Sequence, residues 1–227
     1  MRKICTAIGL AALLAAPGLG SAQTPPATPP AASPPAAAQP PAEHVRVDGF
    51  RNAKWGMTEA QVKAVLTSDF KIPADKLKSD ENLNERTTVL TIALPDLIEG
   101  TGTARVSYIF GYTTKKLIQV NIVWGTAIDP QVKPEMVVAA ANQLRQLFLE
   151  SGYEPSTIVS NARAADGEIV VFEGRDADKH TTLLRLATAA PQPADKDKQN
   201  PAATTLFLSY ILDSKNPDIF KLKRGQF

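Results

Sequence analysis

Cysteine is nearly missing from this chain: Cys5 is the only one in 227 residues. Histidine is scarce too, with His44 and His180 alone. Cys5 sits at the start of the apolar stretch, whereas a lipoprotein acceptor follows it, so it does not read as an acylation site. Beyond it there is no thiol, which excludes disulfides, thiolate metal centres and cysteine nucleophiles from the rest of the chain. Aromatics are only 6% of residues. The longest apolar stretch, Ile4 to Ala16, has 13 residues. A transmembrane helix needs about 20. Charge of one sign is also lacking. The formal net is +2, and without Arg2 and Lys3 the basic and acidic counts are equal at 23. A neutral chain offers no basic face for nucleic acid, and no run of Lys or Arg marks it for anionic lipid. The sequence also has no Gly-x-Ser-x-Gly elbow, no His-Glu-x-x-His and no phosphate-binding Walker loop.

What is present begins with an address. Arg2 and Lys3, the apolar stretch, Pro17-Gly18 and the small residues Gly20-Ser21-Ala22 have the layout of a secretory signal peptide over 1–22, cleaved near Ala22. The expected location is the periplasm, or outside the cell. Residues 23–42 form a Pro/Ala-rich linker. From Pro25 to Pro41 it holds eight Pro and six Ala, no charge and no large apolar side chain. Such a segment cannot bury enough surface to offset its chain entropy, and its paired prolines favour polyproline II.

Residues 43–227 then read as an α+β domain. Thr58 is a good N-cap, with Gln61 three residues on to close a capping box and Met57 and Val62 as a hydrophobic staple. Val62, Val65, Leu66 and Phe70 make the stripe of a first helix that ends before Pro73. Period-two alternation then predicts strands over 88–94, 105–110 and 117–124. A second helix is predicted from Pro134 to Ser151, with Pro134 at N1 and Gly152 at C′. Its Leu147 and Leu149 widen the stripe enough to suggest deep cover. Strands over 157–163, 168–173, 181–188 and 204–212 follow, with an exposed loop over Pro191 to Ala203. The order is α-β-β-β-α-β-β-β-β: an antiparallel sheet or sheets with both helices on one side. Two arrangements remain open, one continuous sheet or two similar halves over 43–128 and 129–227.

The run Gly56-Met57-Thr58-Glu59-Ala60-Gln61-Val62 resembles the Gly-Met-Thr-x-x-Gln-Val helix start of the SmpA/OmlA-like family. These are small bacterial envelope proteins that include an accessory lipoprotein of outer-membrane assembly. The resemblance implies a helix-on-sheet module of the bacterial envelope. It does not extend to the acylated cysteine of that family, nor to its Gly-x-Pro turn after the helix.

Residues with chemistry to offer are few. Asp176, Asp178 and His180 stand at alternate positions, a spacing that could hold a hard metal, but no second ligand cluster accompanies them and a solvated turn is expected. His44 lies at the foot of the linker. Gly100-Thr101-Gly102-Thr103 leads from strand to strand, where a phosphate loop would lead into a helix. Trp55 and Trp124 read as core. Arg51 and Lys54, just before Trp55, form a small basic rim and are the only partner-contact candidates. No catalytic residue, cofactor or metal is expected. The reading is an exported, non-enzymatic module that binds a protein or an envelope component. The alternatives are a hydrolase with an unrecognised carboxylate or serine site, and a carrier of a small ligand or lipid.

Overall fold

The computed structural model describes residues 44–188, 203–222 and Gly225. The signal-like segment, the Pro/Ala-rich linker and nearly all of the loop expected over Pro191 to Ala203 lie outside the described residues.

The chain enters through a short antiparallel ribbon, β1 (Gly49–Phe50) and β2 (Ala53–Lys54). Helix α1 (Glu59–Phe70) follows, and its start obeys the local sequence. Thr58 Oγ1 accepts from the Gln61 N–H at 3.3 Å, and Gln61 Oε1 accepts from the Thr58 N–H at 2.8 Å. Two otherwise orphaned donors are thereby satisfied. Lys71 closes the helix in the left-handed region at φ 56°.

Four strands then run as a meander: β3 (Ser79–Asn82), β4 (Thr87–Pro95), β5 (Thr103–Phe110) and β6 (Leu117–Gly125). Helix α2 (Pro134–Glu150) crosses over, and a second meander follows: β7 (Val159–Arg163), β8 (Ile169–Arg175), β9 (Thr181–Thr188) and β10 (Thr204–Ile211). The two meanders join through their last strands into one eight-stranded antiparallel sheet, ordered β3-β4-β5-β6-β10-β9-β8-β7. At the seam Trp124 faces Leu206 and Ile122 faces Leu208. Gly125 ends that seam at φ 125°, where a Cβ would fall 2.1 Å from the Thr204 carbonyl oxygen, so no other residue fits there without a shift.

The fold is α+β, with the helices sharing one core on one face of the sheet. Val62 and Leu66 from α1 and Val137, Ala140 and Phe148 from α2 are buried with Leu90, Tyr108, Trp124, Phe172 and Leu206. Those side chains fill the space between helix and sheet. The opposite face carries Thr91, Ser107, Asn121 and Ser209 in one cross-strand row, and Arg105, Val123, Phe207 and Arg185 in the next.

The structure corrects three expectations. A fourth strand, β3, precedes the three expected after α1. Its sequence, Ser-Asp-Glu-Asn, has no apolar alternation to reveal it. It is an edge strand tied to α1 by the Ser79 hydroxyl, which donates to Glu59 at 2.7 Å. The strand expected from 157 starts at Val159, because Pro155–Thr157 form a 3-10 turn. Finally, α2 is not deeply covered: Leu147 is 57% exposed and Leu149 37%.

Candidate functional site

A groove of about 1020 Å³ lies at the end of the sheet where β6 begins and β10 finishes. Leu117, Ile118, Ile211 and Leu212 give its lining an apolar part. Four segments wall it: the β5–β6 hairpin with Thr114 and Lys116, residues 154–157, the β8–β9 turn from Asp176 to Lys179, and the strap from Asp213 to Asp218 after β10. Cations and carboxylates together therefore surround an apolar patch.

Three of the carboxylates are committed to holding those walls. Asp213 accepts the Lys215 and Asn216 N–H groups at 2.9 Å each, and the Asn216 hydrogen bond leads in holding its pKa below the usual value. Asp218 accepts from the Thr113 N–H at 3.0 Å, the Thr114 N–H at 2.9 Å and the Thr114 hydroxyl at 2.7 Å. Desolvation pulls the Asp218 pKa upward, but these donors together outweigh it and bring the value down to about 2. The strap is pinned again where Ser214 and Thr181 share a hydroxyl hydrogen bond at 3.0 Å.

Asp176 is the third. It is 2% exposed, the only charged side chain buried to that degree among the described residues. A carboxylate so placed must be well satisfied. Its oxygens accept from the Val47 N–H at 2.7 Å and the His180 N–H at 2.8 Å, and His180 Nδ1 lies at 3.2 Å. Val47 in turn accepts from Trp55 Nε1 at 2.6 Å, and the His180 ring meets Trp55 edge-on at 6.2 Å. Asp176 thus clasps the segment entering the domain onto the β8–β9 turn.

The residues singled out in the sequence fall into place around this clasp. Asp176, Asp178 and His180 do come together, with candidate ligand atoms within 4.8 Å of one another. Asp178 meets Arg46 at 3.6 Å in an exposed pair, and the Nδ1–H tautomer of His180 satisfies the contact with Asp176. The arrangement is that of a braced turn. His44 is exposed. Arg51 lies over the Phe70 ring at 5.1 Å, and Lys54 pairs with Asp48 at 2.9 Å, so both are engaged within their own ribbon and helix. Trp124 is 1% exposed in the core, and Trp55 is partly buried against it. In the Gly100–Thr103 loop, Asp129 accepts the Thr103 N–H at 3.0 Å, and a Cβ on Gly102 would lie 2.5 Å from that carboxylate.

Asp213 and Asp218 escaped the sequence reading. The Asp-Ser-Lys-Asn run at 213–216 carries the signal of an Asx turn, which was there to be read. A second, shallower depression of about 530 Å³ lies on the open face, lined by β-strand side chains including Arg105, Asn121, Phe207 and Ser209. Gln119, at the groove, donates to Asn121, in the depression, at 2.8 Å, so the two are neighbours on one face.

Comparison with protein-family models, with curated proteins and with solved structures finds no match to this chain.

Proposed function

We propose that the chain is an exported, non-catalytic binding module of the bacterial envelope, which receives a protein segment or an envelope component in the groove at the end of its sheet. One observation carries this reading. Asp176, Asp213 and Asp218, the groove carboxylates with described hydrogen bonds, hold the walls in place. A general acid or base works best with a pKa near the operating pH. Asp218, at about 2, is far from that range. His180 turns its ring to Trp55 and Asp176. The site is therefore built as a rigid, mixed-polarity receptor.

Strand addition at a sheet edge is the less favoured mode of binding. Edge strand β3 carries Asp80 and Glu81, and edge strand β7 is broken by Asn161 at φ 53°. Charges and bulges of this kind guard edges against pairing. Export rests on the signal-like N-terminus, and the envelope assignment adds the Gly-Met-Thr helix start.

The test is native mass spectrometry on the mature protein taken from the periplasm, with Ile211→Arg as the groove variant. A co-purifying component lost in the variant supports the reading. Equal recovery from both proteins, or turnover of an ester, peptide or glycoside surrogate that Asp213→Asn abolishes, overturns it.

A further inference from the structure

A second surface adjoins the groove, built from residues outside its lining, at the corner where the β3–β4 turn, the β5–β6 hairpin and the strap after β10 meet. Phe220 and Tyr112 contact edge-to-face at 5.6 Å there, and neither belongs to the core. Arg86 lies over Phe220 at 3.9 Å, and Lys115 lies over Tyr112 at 5.5 Å. The result is a row of cation, ring, ring and cation drawn from three separate parts of the chain. Backbone hydrogen bonds fix it: the Phe220 N–H donates to the Glu85 carbonyl and the Tyr112 N–H to the Asp218 carbonyl, both at 2.8 Å.

Leu83, in the same turn as Arg86, is 80% exposed, and Leu222, two residues past Phe220, is 62% exposed. These are the two most exposed large hydrophobic side chains among the described residues. Lys221 lies between Phe220 and Leu222, and the sequence continues with Lys223 and Arg224. The carboxylates at this corner are engaged. Glu85 accepts from Asn82 Nδ2 at 3.2 Å, and Asp218 holds the Thr113–Thr114 turn. Asp80 and Glu81 lie farther along β3.

We infer that this corner docks the protein on an anionic lipid surface, with Leu83 and Leu222 entering the interface, the two rings at headgroup depth and Arg86, Lys115 and Lys221 on the phosphates. The chemistry is that of interfacial anchoring: aliphatic tips, aromatic rings whose bodies suit the boundary, and cations whose stems lie along apolar surface. Charge complementarity selects the partner, because residues 83–86, 112–115 and 220–222 carry Arg86, Lys115 and Lys221 against Glu85 alone. Folding assembles the site from residues 83–86, 112–115 and 220–222.

The experiment is flotation of the mature chain with vesicles of phosphatidylcholine alone and of phosphatidylcholine mixed with cardiolipin. Binding should require cardiolipin and weaken with salt. Each of Arg86→Glu and Lys115→Glu should lower partitioning by about fivefold or more. Leu83→Asp with Leu222→Asp should lower it at least about tenfold. Lys179→Glu, on the groove rim, should leave it unchanged. Circular dichroism confirms that each variant is folded, and the lipid and salt dependence of the unaltered protein stands whether or not any variant folds. Equal binding to both vesicle types, no binding to either, or loss with the charge variants but not with the leucine pair would overturn the inference. The last outcome would mark a site for soluble polyanions.

Discussion

At the scale of single residues, much of the structure depends on carboxylates that hold loops in place. Asp176 shows the reason most clearly. Replacing it with Ala leaves the buried Val47 N–H and the His180 N–H without their acceptor. The expected loss is about 3 kcal/mol in denaturant unfolding, the scale of stranding buried polar groups. Asp218 predicts a pH effect with a definite sign. Its folded pKa, about 2, lies below its ordinary 3.8, so it contributes stability above the ordinary value and loses it as pH falls through the folded one. Amide exchange over residues 112–116 should therefore speed up between about pH 4 and pH 2 relative to the sheet, and Asp218→Asn should remove that pH dependence. Lys71 offers a test of the opposite sense. At φ 56° it occupies a position that glycine takes without strain, so Lys71→Gly should raise the melting temperature, by roughly 0.5–1 kcal/mol of stability.

At the scale of elements, the sequence speaks where periodicity and caps agree. The capping box at Thr58 and Gln61 is legible from the two side chains alone, and the helix starts where they place it. Thr58→Ala should cost about 1 kcal/mol in thermal or urea unfolding, with α1 the first element to lose amide protection. Strands β4, β5 and β6 alternate, and their inward residues are the core. β3 was invisible because its pairing depends on β4 and on Glu59, not on any pattern of its own. Leu147 and Leu149 misled for a related reason. An apolar residue on a helix predicts burial only if something lies opposite, and α2 meets the sheet along Val137, Ala140, Ala141 and Phe148.

At the scale of the whole molecule, a helix and four strands are followed by another helix and four strands, fused through β6 and β10 into a single sheet. No residue-level signal could announce that seam, because register between distant strands is set by packing and turn geometry together. The groove was equally hidden. Its lining draws on Gly56, the β5–β6 hairpin, residues 154–157, the β8–β9 turn and the strap, which the chain separates by up to 162 positions between Gly56 and Asp218. What could be read in advance was the shortage of cysteine and histidine. What could not be read was that the groove aspartates brace loops. The proposed function requires that the groove is where the protein meets its partner. A photo-crosslinking amino acid placed in living cells at Lys215, on the groove wall, and at Leu147, on the exposed face of α2, measures this directly. The account predicts discrete adducts with an envelope protein or component from position 215 and none from 147. Adducts of the same pattern from both positions, or from 147 alone, would contradict it.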